Sequence, residues 1–254
     1  GGTGGGGGTA PTEDKRITVE NSKNGAVSPS DSNAKPDTKV TLTIKPNSGK
    51  RLSGLTVTDE KGNTLPLTRK DAAHYEFTMP DGKVTVKPVF ADSSTSCPGG
   101  IICPTHEMSD VPLDAWYHDV VDTAVDCGWM NGTGNSQFTP QGTTTRGMLA
   151  TVLYRMAGSP KAPKSTFADV ESSMYYADAV AWAAENGIVT GLDATTYAPA
   201  HSITREQLAA MLYRMAQHNG QASAGSADVL NGFADRNAVH DWAKDAMCWA
   251  IENG

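Results

Sequence analysis

No stretch of this 254-residue sequence approaches the roughly 18 consecutive apolar residues of a membrane helix, so nothing in it reads as a bilayer span. Basic charge is not in excess either. Lys and Arg number 21 against 28 Asp and Glu, a net charge of −7, which argues against a nucleic-acid binder with its basic stripe. Catalytic signatures are missing: there is no His-Glu-x-x-His, no Gly-x-Ser-x-Gly and no phosphate-binding loop. The glycines that open the chain, GGTGGGGG, lack the strand–turn–helix setting such a loop needs. No catalytic residue and no cofactor are therefore expected. The sequence also lacks an initiator Met and a basic-then-apolar leader. It reads as an internal segment, so the missing leader says nothing about export.

What is present divides the chain in two. Residues 1–104 carry 13 basic and 11 acidic groups, whereas residues 105–254 carry 8 and 17. Residues 1–16 are Gly-rich and then polar, the composition of a flexible linker. From residue 17 to 91 the hydrophobic period is two. Ile17 and Val19 are followed by Val40, Leu42 and Ile44, by Leu55 and Val57, and by Leu65 and Leu67. Tyr75, Phe77 and Met79, then Val84 and Val86, complete the series. Each set places its apolar side chains on one sheet face. Lys61-Gly62-Asn63 and Pro80-Asp81-Gly82 supply turn chemistry between strands. Six short strands in a small antiparallel β domain are expected.

Three stretches of this region resemble bacterial surface repeats related to the internalin B-repeat. They are Gly25-Ala26-Val27, Val40-Thr41-Leu42-Thr43-Ile44-Lys45-Pro46 and Tyr75-Glu76-Phe77-Thr78-Met79-Pro80. The resemblance implies a β-grasp-like spacer on secreted proteins.

The second half repeats itself. Shifted by 59 residues, positions 110–157 match 169–216 at 18 of 48 places without a gap, far above the roughly three that ordinary composition gives. A third copy begins at Phe233-Ala234-Asp235 and runs to Trp249-Ala250-Ile251-Glu252-Asn253-Gly254. The copies span 107–158, 165–218 and, truncated, 231–254. Each full copy reads helix, loop, helix. Val120, Val121, Ala124 and Val125 form a helical stripe in copy one. Gly128 and Gly187 stand where a helix end favours positive φ. Thr204 with Gln207 forms a capping box for the second helix of copy two, whose buried stripe is expected to be Leu208, Met211, Leu212 and Met215. Copy one has Thr145 but Gly147 and Met148, so its cap is expected to be weaker. The helix of the third copy, without a second helix after it, is expected to fray.

Phe167-Ala168-Asp169-Val170, Glu185-Asn186-Gly187-Ile188-Val189-Thr190-Gly191 and Ile203-Thr204-Arg205-Glu206-Gln207-Leu208-Ala209 resemble the S-layer homology (SLH) domain. Trp116-Tyr117-His118-Asp119 and Thr144-Thr145-Arg146 in copy one do the same. The overall expectation is a multidomain α+β chain, a small antiparallel β-grasp-like module followed by α-helical SLH repeats. The resemblance implies a non-catalytic surface anchor that holds anionic, often pyruvylated, secondary cell-wall polysaccharide on a bacterial wall. It also implies that the motif arginines, Arg146 and Arg205, are the main anion contacts, with Thr145, Thr204 and Glu206 beside them.

The residues themselves leave alternatives open. A cation at a helix N-terminus opposes the helix dipole, so Arg146 and Arg205 are either exposed first-turn residues or anion contacts. Trp116 could stack on a sugar ring or pack in the core. Gly132 and Gly191 are either turn glycines or places where a ligand approaches the backbone. Arg155 and Arg214, in last turns, read as structural. Cys97 and Cys103 lie in a linker, 92–106, and their spacing in an exported protein favours a disulfide. A metal site would need further ligands; His106 is near, no fourth is evident, and no metal is expected. Cys127 and Cys248 read as small buried residues. Two other readings remain: the anchor of a secreted enzyme whose catalytic domain and other cargo lie outside this segment, or an adhesin whose β repeat binds a protein partner.

Overall fold

The computed structural model describes residues 16–223 and 225–254. Most of the Gly-rich segment expected to be a flexible linker lies outside the described residues. The chain divides into two compact units: residues up to 126 together with 132–138, and residues 127–131 together with 139–254.

The first unit is built on seven strands: β1 (Ile17–Val19), β2 (Gly25–Pro29), β3 (Lys39–Pro46), β4 (Lys50–Asp59), β5 (Thr68–Arg69), β6 (His74–Thr78) and β7 (Val84–Asp92). One sheet has the order β1-β7-β4 and the other β2-β3-β6-β5. The alternation seen in the sequence is the alternation of burial. Val40, Leu42, Ile44, Val57, Tyr75, Phe77, Met79, Val84 and Val86 all lie in one shared core. Three details differ from the expected pattern. β2 and β5 are not among the six strands expected. β1 and β7 pair in parallel, Ile17 opposite Val84, so the module is not wholly antiparallel. Leu65 and Leu67 do not form a strand of their own; they are half-buried and pack against the core from an irregular stretch after a single bridge at Thr64.

The segment expected to be a linker is ordered by its own side chains. Gly99 and Gly100 take positive φ and let the chain turn into a short 3-10 helix, Gly100–Ile102. Ile101 and Ile102 pack on the β core, while Cys103 and Thr105 are buried. Helix α1 (His118–Asp126) follows in the same unit. It presents His118, Val121 and Asp122 inward, and Val120, expected in its stripe, is exposed. Arg69 of β5 forms an ion pair with Asp126 at the end of α1. Burial pushes the Asp126 carboxyl up, and the Arg69 guanidinium pulls against it.

The second unit contains α2 (Arg146–Met156), α3 (Ala177–Glu185), α4 (Arg205–His218) and α5 (Lys244–Glu252). Leu149, Leu153, Val180, Trp182, Tyr197, Met211 and Met215 share one core. Leu212, expected in the buried stripe of α4, is exposed. A second face of α4, Ala209, Ala210 and Tyr213, packs on Ala246 of α5, and the Tyr213 and Trp249 rings lie 5.6 Å apart. The helix of the third copy, expected to fray, is α5, whose inner face meets α4. Cys248 is buried as expected, but Cys127 is exposed, because it falls just past the last residue of α1.

Candidate functional site

The two Thr-Arg motifs open α2 and α4, and the chain folds there for local reasons. Thr204 Oγ1 accepts from the Gln207 backbone N–H at 3.2 Å, and Gln207 Oε1 accepts from the Thr204 N–H at 3.3 Å. Copy one makes the same box with sulfur: Thr145 Oγ1 accepts from Met148 N–H at 3.2 Å, and Met148 Sδ faces the Thr145 N–H at 3.5 Å. The cap of copy one, expected to be weaker, is still a complete box, closed by a thioether that is only a weak acceptor. Both threonines use their hydroxyls to cap helices.

The loop before each motif is tied by an aspartate of its own copy, at the same repeat position. Asp169 accepts from the N–H groups of Tyr197 and Ala198 at 2.9 and 2.7 Å. Its counterpart Asp110 accepts from the N–H of Phe138 at 2.8 Å. The loop of copy two then runs beside the start of α2. Arg146 N–H donates to His201 O at 3.0 Å, and Gly147 N–H donates to Pro199 O at 2.9 Å.

Arg146 itself is 5% exposed. Its Nε donates to Tyr197 O at 2.9 Å and its Nη2 to Thr190 O at 2.8 Å, with the guanidinium 4.6 Å from the centre of the Tyr197 ring. The Tyr197 hydroxyl returns a hydrogen bond to Arg146 O at 3.1 Å, and burial pushes its pKa up to about 12. The Arg146 guanidinium, expected to be a main anion contact, here holds the loop of the next copy. Arg205, at the same place in copy two, is exposed, and among the described residues no hydrogen-bond or ion-pair partner reaches its guanidinium.

Glu206 is not turned toward Arg205. Its carboxylate accepts from the His240 N–H at 2.9 Å and pairs with the His240 ring at 2.9 Å, so it ties α4 to the third copy. Gly132 and Gly191 are required by packing. A Cβ on Gly132, which has φ of 76°, would stand 2.5 Å from Gln137 O; one on Gly191 would stand 2.3 Å from Asp193 O. Trp116 is 88% exposed, edge-on to Tyr117, whereas Trp182 is core. Arg155 donates to Trp129 O at 3.2 Å, as its expected structural role suggests.

Two known protein families match this chain in sequence. Residues 15–94 match the divergent InlB B-repeat domain, and residues 107–147 and 166–209 match the S-layer homology domain. The chain carries a divergent InlB B-repeat followed by SLH repeats. It is 31% identical over 142 residues to a surface-layer 125 kDa protein of Lysinibacillus sphaericus, covering 56% of this chain and 12% of that protein. It is 26% identical over 164 residues to exoglucanase XynX of Acetivibrio thermocellus, covering 63% and 14%. An amylopullulanase of Thermoanaerobacterium thermosulfurigenes is 28% identical over 142 residues, covering 56% and 8%. The chain thus spans a small part of each of these relatives. The SLH repeats and the S-layer relative point to the cell surface or cell wall and to an anchoring role. Among the described residues no helix is long and apolar enough to cross a membrane.

A second constellation lies in the first unit. Cys97, Cys103, His118 and Asp122 place their ligand-type atoms within 4.8 Å of one another, and the last three residues are buried. Both thiols are free, and burial, with Asp122 and Cys103 alongside, pushes the Cys97 thiol up to about 12. His106, the histidine singled out by proximity in sequence, instead meets Cys103 O through Nδ1 at 3.0 Å. Sequence reasoning passes over His118 and Asp122. The available signal is that they stand at i and i+4 of one helix, where copy two has Ala177 and Ala181.

Proposed function

We propose that this segment anchors a larger protein to the bacterial wall by holding an anionic, pyruvylated secondary cell-wall polysaccharide, with the β module as a spacer. The observation that carries this reading is the exposed Arg205 at the capped N-terminus of a fourteen-residue helix. The dipole alone disfavours a cation there, while the first-turn amides and the guanidinium together suit a carboxylate-bearing sugar. The second half of the chain is strongly acidic, so long-range attraction cannot draw it to an anionic glycan. Binding then depends on short-range bidentate contact. Trp116 offers an uncovered aromatic face of the kind that stacks on sugar rings. The names of the relatives, an S-layer protein and two polysaccharide-degrading enzymes, support a module joined to varied cargo.

The test is sedimentation of the whole chain with purified sacculi. It should pellet with native sacculi and stay in solution with sacculi stripped of secondary polymer. Equal pelleting with both would overturn the polysaccharide reading, and binding to a host protein instead would favour the adhesin.

A further inference from the structure

We propose that Cys97, Cys103, His118 and Asp122 form a closed structural site for a thiophilic divalent cation of the zinc class. The donor set is two thiolates, one imidazole and one carboxylate, the soft and borderline mixture that such an ion takes in four-coordinate sites.

The spacings agree with this. Cys103 Sγ stands 3.5 Å from His118 Nε2 and 3.7 Å from Asp122 Oδ2, and His118 Nε2 stands 3.2 Å from that same Oδ2. The edges of a zinc tetrahedron are about 3.5 Å for sulfur to nitrogen or oxygen and about 3.3 Å for nitrogen to oxygen. Three of the four ligand atoms are therefore already arranged around a common centre, and Cys97 Sγ lies within 4.8 Å of each.

The surrounding groups orient the ligands. His118 Nδ1 lies 3.1 Å from Pro112 O, and a carbonyl can only accept, so Nδ1 carries the proton. In neutral His118 that leaves the Nε2 lone pair directed at a carboxylate and a sulfur, an arrangement that a cation between them stabilises. The Thr105 hydroxyl donates to Asp122 Oδ1 at 2.7 Å, fixing the carboxylate and leaving Oδ2 on the His118 side. Such second partners are typical of metal ligands. Cys97 borders a cleft lined by Arg51, Arg69, Tyr75 and Asp119, which gives an ion a way in.

The repeat itself argues that the cluster is an addition. Copy two folds the same helix with Ala177 and Ala181 at the positions of His118 and Asp122, so neither side chain is needed for the repeat fold. The ion would fasten the segment after β7 to α1, a task the second copy does not have.

The test uses the full chain, reduced and freed of metal by a chelator, and titrated with Co2+ without oxygen. One equivalent should bind with thiolate-to-cobalt charge transfer and the intense visible bands of a four-coordinate ion, and one equivalent of Zn2+ should displace it. Cys103→Ser should roughly halve the charge-transfer band and the double variant Cys97→Ser, Cys103→Ser should abolish it, while His118→Ala, which restores the residue of copy two, should weaken Co2+ binding by about 100-fold or more. Zn2+ should raise the thermal midpoint of the parent and not of His118→Ala, with unchanged circular dichroism showing that the variant is folded. Weak six-coordinate bands without charge transfer would overturn the proposal. So would unchanged Co2+ affinity in the folded His118→Ala variant, or a Cys97–Cys103 disulfide without bound metal in chain exported into zinc-replete medium.

Discussion

Arg146 and Arg205 hold the same place in two copies of one repeat, after the same capping threonine, yet only one of them is covered. Arg146 lies beneath the loop of copy two, hydrogen-bonded to Thr190 and Tyr197 carbonyls. Arg205, in copy two, is exposed, and among the described residues no partner reaches its guanidinium. In a repeat protein, a residue's role is thus set by what the neighbouring copy places against it as much as by its own motif. The carboxylate beside Arg205 follows the same rule, since Glu206 is engaged by His240 of the third copy.

The largest effect should come from breaking the covered member of the pair. Arg146→Ala leaves the Tyr197 and Thr190 carbonyls without their charged donor and empties a buried site beside Tyr197, and urea unfolding should show a loss of about 3 kcal/mol. Arg146→Lys should recover less than half, because an ammonium cannot reach both carbonyls and lie flat on Tyr197. Loss of wall binding without loss of stability in Arg146→Ala would reverse the two assignments.

The loop that covers Arg146 depends on Gly191. Gly191→Ala drives a Cβ into Asp193 O and Thr196 O and should cost about 1–3 kcal/mol. Gly187→Ala has open space around it and meets only the strain of a φ of 68°, about 1 kcal/mol. Equal costs in thermal melts would mean the loop yields more easily than its packing indicates.

Smaller differences separate the two caps. Thr145→Ala and Thr204→Ala should each lose about 1 kcal/mol. Gln207→Ala should cost more than Met148→Ala in cap energy, since an amide oxygen accepts better than a thioether. Double-mutant cycles with each threonine measure this directly.

The smallest effect is the pH response of the Glu206–His240 contact. The His240 N–H, and then its ring, hold the Glu206 carboxyl below its ordinary value of 4.5. A carboxyl lowered by folding contributes stability above its ordinary value and loses it as pH falls through the lowered one. Protection of 236–252 against hydrogen exchange, relative to the rest of the chain, should therefore fall on acidification below about pH 4, and Glu206→Gln should remove that dependence. Exchange in 236–252 that matches the rest of the chain across this range would show that Glu206 does not hold the third copy.

Much of the fold is legible in the sequence, and what stays hidden has a physical cause. Period-two alternation marks burial directly, so the residue pattern alone assigns Val40, Leu42, Tyr75 and Phe77 to the core. The repeat offset likewise locates the caps at Thr145 and Thr204 and the positive-φ glycines 128 and 187. Pairing direction is not legible, because alternation says which face is buried and nothing about the neighbouring strand; hence the parallel β1–β7 pair. Arg146 misleads because its partners lie 44 and 51 residues away in the next copy. The Cys97 cluster is half legible: two cysteines draw attention, but their companions 15 and 19 residues past Cys103 sit on a helix whose stripe reads as apolar.

The anchoring role proposed for the exposed arginine is tested most directly by sedimenting the folded Arg205→Ala chain with native sacculi beside the parent. The bidentate contact is worth about 2 kcal/mol, so the variant's affinity should fall roughly 30-fold while its unfolding midpoint stays unchanged. A folded Arg205→Ala chain that binds native sacculi as tightly as the parent would contradict the account.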